Sequence, residues 1–188
     1  MDVRRSIILG AYIRHWGMPE YRKVASRKDG RIEIYSFPTN RANPIFRFAS
    51  VGISGTERPT GLIENEFLLA LPPNLGGATS AQVFNFMLDL SAYAIDKLDR
   101  IVSPSIIPET PLLPKAWRTR ALLIDQARSE PEELSELNIG VESVELLWAI
   151  PIYKSEYELI ARSGVEAFDA LAERAELSPV DVNRDPWI

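Results

Sequence analysis

Apolar residues near the start of the chain recur at helical spacing. Counted from Ile7, the residues Ile8, Ala11, Tyr12, His15 and Trp16 stand at offsets of one, four, five, eight and nine, which places them on one helix face. The spacing predicts a helix over 3–16, with Asp2 as N-cap and Gly17 and Pro19 as its stop. The basic run that follows, from Arg22 to Arg31, reads as a solvated helix end and turn. Asp29-Gly30 signals a turn, and Ile32, Ile34, Tyr35 and Phe37 predict a strand over 31–37 closed by Pro38. After the Asn43-Pro44 turn signal, Ile45, Phe46, Phe48, Val51 and Ile53 predict a second strand. Residues 55–64 read as a loop. The unbroken apolar run Phe67–Leu71 predicts a third strand, covered on both faces and stopped by Pro72-Pro73.

The clearest helix opens at Thr79, with Gln82 as the second member of a capping box. Val83, Met87, Leu90, Ala94 and Leu98 then step by three and four, and further apolar positions widen the face enough to predict a mostly buried helix. Four prolines between 102 and 117 predict an extended surface connection. Strands are predicted over 120–127, with Leu122 and Ile124 on one face, and over 141–152. The acidic stretch 130–138 between them reads as a helical turn or a loop. A capping-box pair, Ser155 and Glu158, predicts the start of a C-terminal helix, which Gly164 divides in two. Strands cluster rather than alternating with helices. This order implies an α+β fold with a mixed, largely antiparallel sheet flanked by helices.

Composition narrows the class. The chain has 188 residues, an ordinary length for one domain spanning 1–188, and enough to bury a core unaided. Cysteine is absent, which removes disulfides, thiol nucleophiles and thiolate metal sites and suits a reducing compartment. Two arginines, Arg4 and Arg5, precede a short apolar run, but Arg14, His15 and Trp16 interrupt it before a signal peptide is made. No stretch approaches the roughly 18 apolar residues of a membrane span. The expectation is a cytoplasmic protein. The net charge of −5 opposes a nucleic-acid partner. It favours steering of a basic protein partner instead.

The residues that carry chemistry elsewhere do not assemble here. His15 is the single histidine and sits beside Trp16 on an apolar helix face. Gly52-Ile53-Ser54-Gly55 falls short of a nucleophile elbow, because Thr56 stands where the closing glycine is needed. Gly76-Gly77 lacks the lysine and spacing of a phosphate loop. Asp125 lies in an apolar run with Arg128 as an ion-pair partner. No catalytic residue, metal site or cofactor is implied. The acidic cluster Glu130, Glu132, Glu133 and Glu136 is the candidate contact surface for a basic partner.

Several segments, in order, resemble the suppressor-of-fused domain. Ile34-Tyr35-Ser36-Phe37-Pro38 followed by Asn43–Ser54 resembles its opening pair of strands, the second ending in a V-G-x-S-like turn. Glu66-Phe67-Leu68-Leu69 is similar to its next strand, and Leu146–Ile152 followed by Ser155-Glu156 to its late strand–helix junction. The likeness runs from about residue 31 to 175. Animal members are two-lobed regulators that bind a transcription-factor peptide between lobes. This chain resembles only the first lobe, so that site does not carry over. The short bacterial branch contains many immunity-like proteins that neutralise a secreted toxin domain. The resemblance therefore implies a non-enzymatic protein that occludes a toxin domain or, alternatively, a regulatory module that binds a peptide or protein.

Overall fold

The computed structural model describes residues 2–28, 30–39, 44–98, 100–128, 130–175 and 178–188. Helix α1 spans Val3–Trp16, and the Asp2 side chain accepts from the Arg5 amide at its N-cap, as the pattern predicts. Strands β1 (Tyr21–Arg27), β2 (Gly30–Phe37) and β3 (Phe46–Val51) follow. A two-residue-per-strand hairpin, β4 (Glu57–Arg58) and β5 (Gly61–Leu62), leads into β6 (Asn65–Leu71). Helix α2 (Ser80–Lys97) starts on the Thr79–Gln82 capping box. Then come β7 (Ser105–Ile107), β8 (Ala121–Gln126), the single turn α3 (Glu132–Ser135), β9 (Glu136–Ile139) and β10 (Glu142–Ile152). Helices α4 (Lys154–Ser163) and α5 (Val165–Arg174) meet at Gly164. The predicted turn residues Asp29 and Asn43 lie outside the described residues.

One sheet organises the chain in the order β1-β2-β3-β6-β10-β8-β7, with β9 paired to the first half of β10. Only β6 and β10 run parallel, so the sheet is mixed and mostly antiparallel. Side-chain alternation then builds two cores. Ile34, Phe48, Phe67, Leu69, Leu122 and Leu147 face α2, whose Val83, Phe86, Met87 and Leu90 cover them. Phe37, Ala49, Leu68, Leu123, Leu146 and Ile150 face the other side, under Ile8 and Tyr12 of α1, Ile160 of α4 and Phe168 of α5. β6 is buried over its whole length, so its continuous apolar run reports a strand covered on both faces.

Three expectations need correction. Residues 21–27 form a strand rather than a helix end: paired along their full length with β2, they need no apolar alternation, because only one edge is engaged and no core lies beyond. The proline-rich connection is not a surface strap. It contributes β7, and Ile107, Leu113 and Trp117 are buried; the Trp117 indole donates to the Leu75 carbonyl at 2.9 Å. The C-terminal helix begins at Lys154, with Tyr153 as N-cap and Glu156 accepting from its amide at 2.9 Å. Ser155 lies inside the first turn, where its hydroxyl donates to the Ile188 carbonyl.

Candidate functional site

Two clefts open on either side of the C-terminal end of β8, and Gln126 lines both. The first, of about 440 Å³, lies between the sheet and α5. Strand alternation sends Leu123, Trp148 and Ile150 to its floor, and helical spacing brings Phe168 and Ala172 over them. Its rim is charged: Asp125, Arg128, Asp169 and Glu173. The second, of about 710 Å³, is bounded by the β4–β5 hairpin, the segment 100–103 and the start of β10, and is mainly polar.

Asp125 joins the two. It is only 4% exposed. One oxygen accepts from the Ser103 hydroxyl at 2.9 Å, on the side of the second cleft, and from the Gln126 amide at 2.8 Å. The other accepts from Arg128 at 2.7 Å. Arg128 reaches on to Asp169 at 2.6 Å, tying β8 to α5 across the first cleft. The Asp169 hydrogen bond, helped by the field of Asp125, outweighs burial and raises the Arg128 guanidinium above its ordinary value. Both carboxylates are thus occupied by one permanent cation. This is the structural ion pair that the spacing of Asp125 and Arg128 suggests. An apolar floor inside a charge-compensated rim suits the seating of a side chain from another molecule.

The acidic cluster is divided by the fold. Glu132, Glu133 and Glu136 are exposed on α3 and at the start of β9. Glu130 turns inward. Its carboxylate accepts from Arg47 at 2.7 Å and from the Trp16 indole at 2.8 Å, and the Arg47 and Glu130 side chains are 9% and 6% exposed. His15 stands on α1, outside the lining of both clefts.

Sequence reasoning missed Glu66. This carboxylate is 1% exposed and accepts from the amides of Gly52, Ile53 and Ser54 at 2.8–3.1 Å and from the hydroxyls of Ser50 and Ser54 at 2.6 and 2.8 Å. The Gly52–Gly55 turn is therefore wrapped on a buried acid, and the Ser54 hydroxyl is spent there. Gly52 has φ +106, and a Cβ there would lie 2.6 Å from the Arg31 carbonyl oxygen. The signal lay in the V-G-x-S and E-F-L-L segments, but nothing local said that one binds the other. Among the described residues, no group of three or more His, Asp or Glu side chains is placed to hold a metal ion, and no helix is long and apolar enough to cross a membrane.

An α+β protein with a mixed sheet between two helical layers, and a cleft rimmed by paired charges, is the class that this geometry defines. The suppressor of fused protein (SUFU) family profile matches residues 28–185, and the chain belongs to that family. Among solved structures, a SUFU homologue from Neisseria gonorrhoeae is similar with a TM-score of 0.74 at 16% identity, over 98% of this chain and 97% of that one. A chain in the Sufu–Fu complex is similar with a TM-score of 0.65 at 14% identity, over 97% of both. Drosophila Suppressor of Fused gives a TM-score of 0.64 at 15% identity; the match covers 88% of this chain but 45% of the fly protein. No curated protein matches the sequence.

Proposed function

We propose that this chain is a non-catalytic binding protein, and more narrowly an immunity-type protein that neutralises a cognate bacterial toxin domain by covering its surface. The observation that carries the binding reading is the first cleft. Its floor is apolar, and the buried acid in its wall is held by Arg128, by the Ser103 hydroxyl and by the Gln126 amide. A relative of the same fold, seen in the Sufu–Fu complex, engages a protein partner, which supports the general role. The gonococcal homologue, similar over nearly all of both chains, is a bacterial protein of the same fold, and the immunity reading is drawn from that short bacterial branch of the family. The net charge of −5, with Glu132, Glu133 and Glu136 exposed, suits a basic toxin such as a nuclease.

The test is association kinetics with a secreted toxin domain encoded by a neighbouring gene, where the gene neighbourhood contains one. The triple variant Glu132→Lys, Glu133→Lys, Glu136→Lys leaves the inward-facing Glu130 untouched. It is expected to slow association about tenfold at low salt, with the difference shrinking at high salt. Unchanged rates would remove this surface from the interface. Failure of the chain to protect cells from that protein would remove the immunity reading. A regulatory module that takes up a peptide is the second reading, favoured by the exposed outer edge of β1.

A further inference from the structure

At the end of the strand order opposite β7 and β8, β1 pairs with β2 through all seven of its residues, from Tyr21 opposite Ser36 to Arg27 opposite Gly30. Among the described residues no strand pairs with its other side. Along such an edge every second residue turns its amide and carbonyl outward, a template for another strand. The opposite edge strand, β7, has only three residues.

The edge is both basic and apolar. Alternation puts Arg22 and Val24 on one face, and Tyr21, Lys23 and Arg27 on the α2 face, where Lys23 reaches Asn85 and Arg27 reaches Asp96. Tyr21 and Val24 are 67% and 41% exposed. Arg22 and Arg31 share one acid, Glu33, at 3.3 and 2.6 Å; Glu33 also faces Arg5, which has Asp2 as a second partner. The partner of Lys23 is a neutral amide. Lys28 stands exposed just past the strand. β1 itself carries three cations and no acidic residue, in a chain whose net charge is −5.

Charged edges usually guard against sheet-to-sheet aggregation. That role accounts for the cations but not for Tyr21 and Val24, which are left open beside them. It also restricts the occupant. A second copy pairing here antiparallel along the whole strand sets Lys23 diagonal to its own counterpart and to Arg27, and crowds six cations into one two-stranded ribbon, which like-charge repulsion opposes. An extended acidic segment meets a cation on either face. We propose that the β1 edge takes up an extended, acidic segment of a partner protein as an added strand. Main-chain hydrogen bonds hold it, its carboxylates meet Arg22 and Lys23, and its apolar side chains cover Val24 and Tyr21. The proposal rests on the second reading above, that of a module taking up a peptide, and not on what fills the clefts beside β8, from which this surface is remote in strand order.

The test uses the full chain and labelled peptides of about eight residues, a strand's length, read by fluorescence anisotropy. The Glu–Thr peptide repeats Thr-Glu-Glu-Thr, which sets Glu opposite both Arg22 and Lys23 and the threonine methyls against Tyr21 and Val24; a Lys–Thr peptide repeats Thr-Lys-Lys-Thr, and a third is the Glu–Thr peptide N-methylated along one edge. A single-stranded oligonucleotide is the fourth probe. The expected result is binding of the Glu–Thr peptide alone, weakened about tenfold by the pair Arg22→Gln, Lys23→Gln. Amide exchange of the unaltered chain should slow over Tyr21–Arg27 when the peptide is added, which needs no variant to fold. Equal binding of the N-methylated peptide would overturn strand addition. Equal binding of the Lys–Thr peptide, tighter binding of the oligonucleotide, unprotected β1 amides or no peptide binding would each overturn the proposal.

Discussion

Glu33 sits on β2 with 2% of its surface exposed, accepting from the Tyr35 hydroxyl at 2.5 Å and facing three arginines. Burial pushes its pKa up, but the Tyr35 hydrogen bond and Arg31, Arg22 and Arg5 together push harder, and the net shift is downward. The sign of the consequence follows from linkage. In the unfolded chain the carboxyl takes up its proton near the ordinary value, about 4.3; in the folded chain it does so at lower pH. Between the two, the unfolded state binds more protons, so the contribution of Glu33 is complete above the ordinary value and drains away as the pH falls through the folded one. Urea unfolding followed from about pH 6 to about pH 3 should therefore fall more steeply for the unaltered chain than for Glu33→Gln. Parallel curves would show that Glu33 is not held in this way. At this scale the sequence is legible only where partners are close. Asp125 and Arg128 are three residues apart, and their pairing can be read from spacing. Glu130 finds Arg47 across 83 positions, and Glu66 finds its amides 12 to 14 positions back, after a reversal of the chain. Neither pairing leaves a local trace, so Glu130 looked like open surface and Glu66 like one more polar residue at a strand start.

Elements are legible in proportion to how much core they touch. β6 and α2 bury nearly everything they offer, and their apolar patterns and the Thr79–Gln82 cap declare them. β1 touches the core hardly at all, and its backbone pairing is invisible in side-chain pattern. The segment 102–117 misleads for a different reason: four prolines mark irregular backbone, not exposure. Its Trp117 packs edge-on to Phe86 of α2 with ring centroids 5.5 Å apart. The short 3₁₀ turn Leu75–Gly77 supplies the seat. Gly76 has φ +62, and a Cβ there would come within 2.2 Å of Val182 and 3.0 Å of the Trp117 ring. The Gly76 carbonyl also accepts from the Asn183 side chain at 2.7 Å. Gly76→Ala combines left-handed backbone strain with overpacking, and is expected to cost about 2–4 kcal/mol. Thermal melting should register the loss, with faster amide exchange over residues 178–188. A variant that melts with the unaltered chain would show that this contact yields without strain.

At the scale of the molecule, the C-terminal segment reaches into both cores, Val182 into the first and Val180 into the second, and shapes the first cleft. Val180 and Val182 are buried, Pro179 lines the cleft, and Phe168 packs on Trp187 with centroids 5.0 Å apart. What fastens it is a pair of fully buried charges. Arg184 donates to Glu156 at 2.7 Å, and its guanidinium lies 4.4 Å from the centre of the Trp187 ring and 5.4 Å from that of Tyr153. Glu156 is also the N3 residue of α4, accepting from the Tyr153 amide, and it takes the Trp187 amide at 3.2 Å. One carboxylate thus caps a helix and holds the tail, so the wall of the cleft is tied to the last strand–helix junction of the sheet. Two charges taken fully out of water are expensive, and their mutual attraction repays that cost only while both are present. Removing either alone strands the other. Arg184→Met and Glu156→Gln are each expected to lose about 3–5 kcal/mol in denaturant unfolding. The double variant strands no charge and should lose clearly less than the sum of the two. Additive losses would mean that the two side chains act separately, and that the tail is held by the stacking of Trp187 and the burial of Val182 rather than by the ion pair. Because Pro179 and Phe168 share that fastening, the single Arg184→Met change should also weaken the partner binding proposed for the first cleft, read as a raised Kd, while the double variant retains more of it.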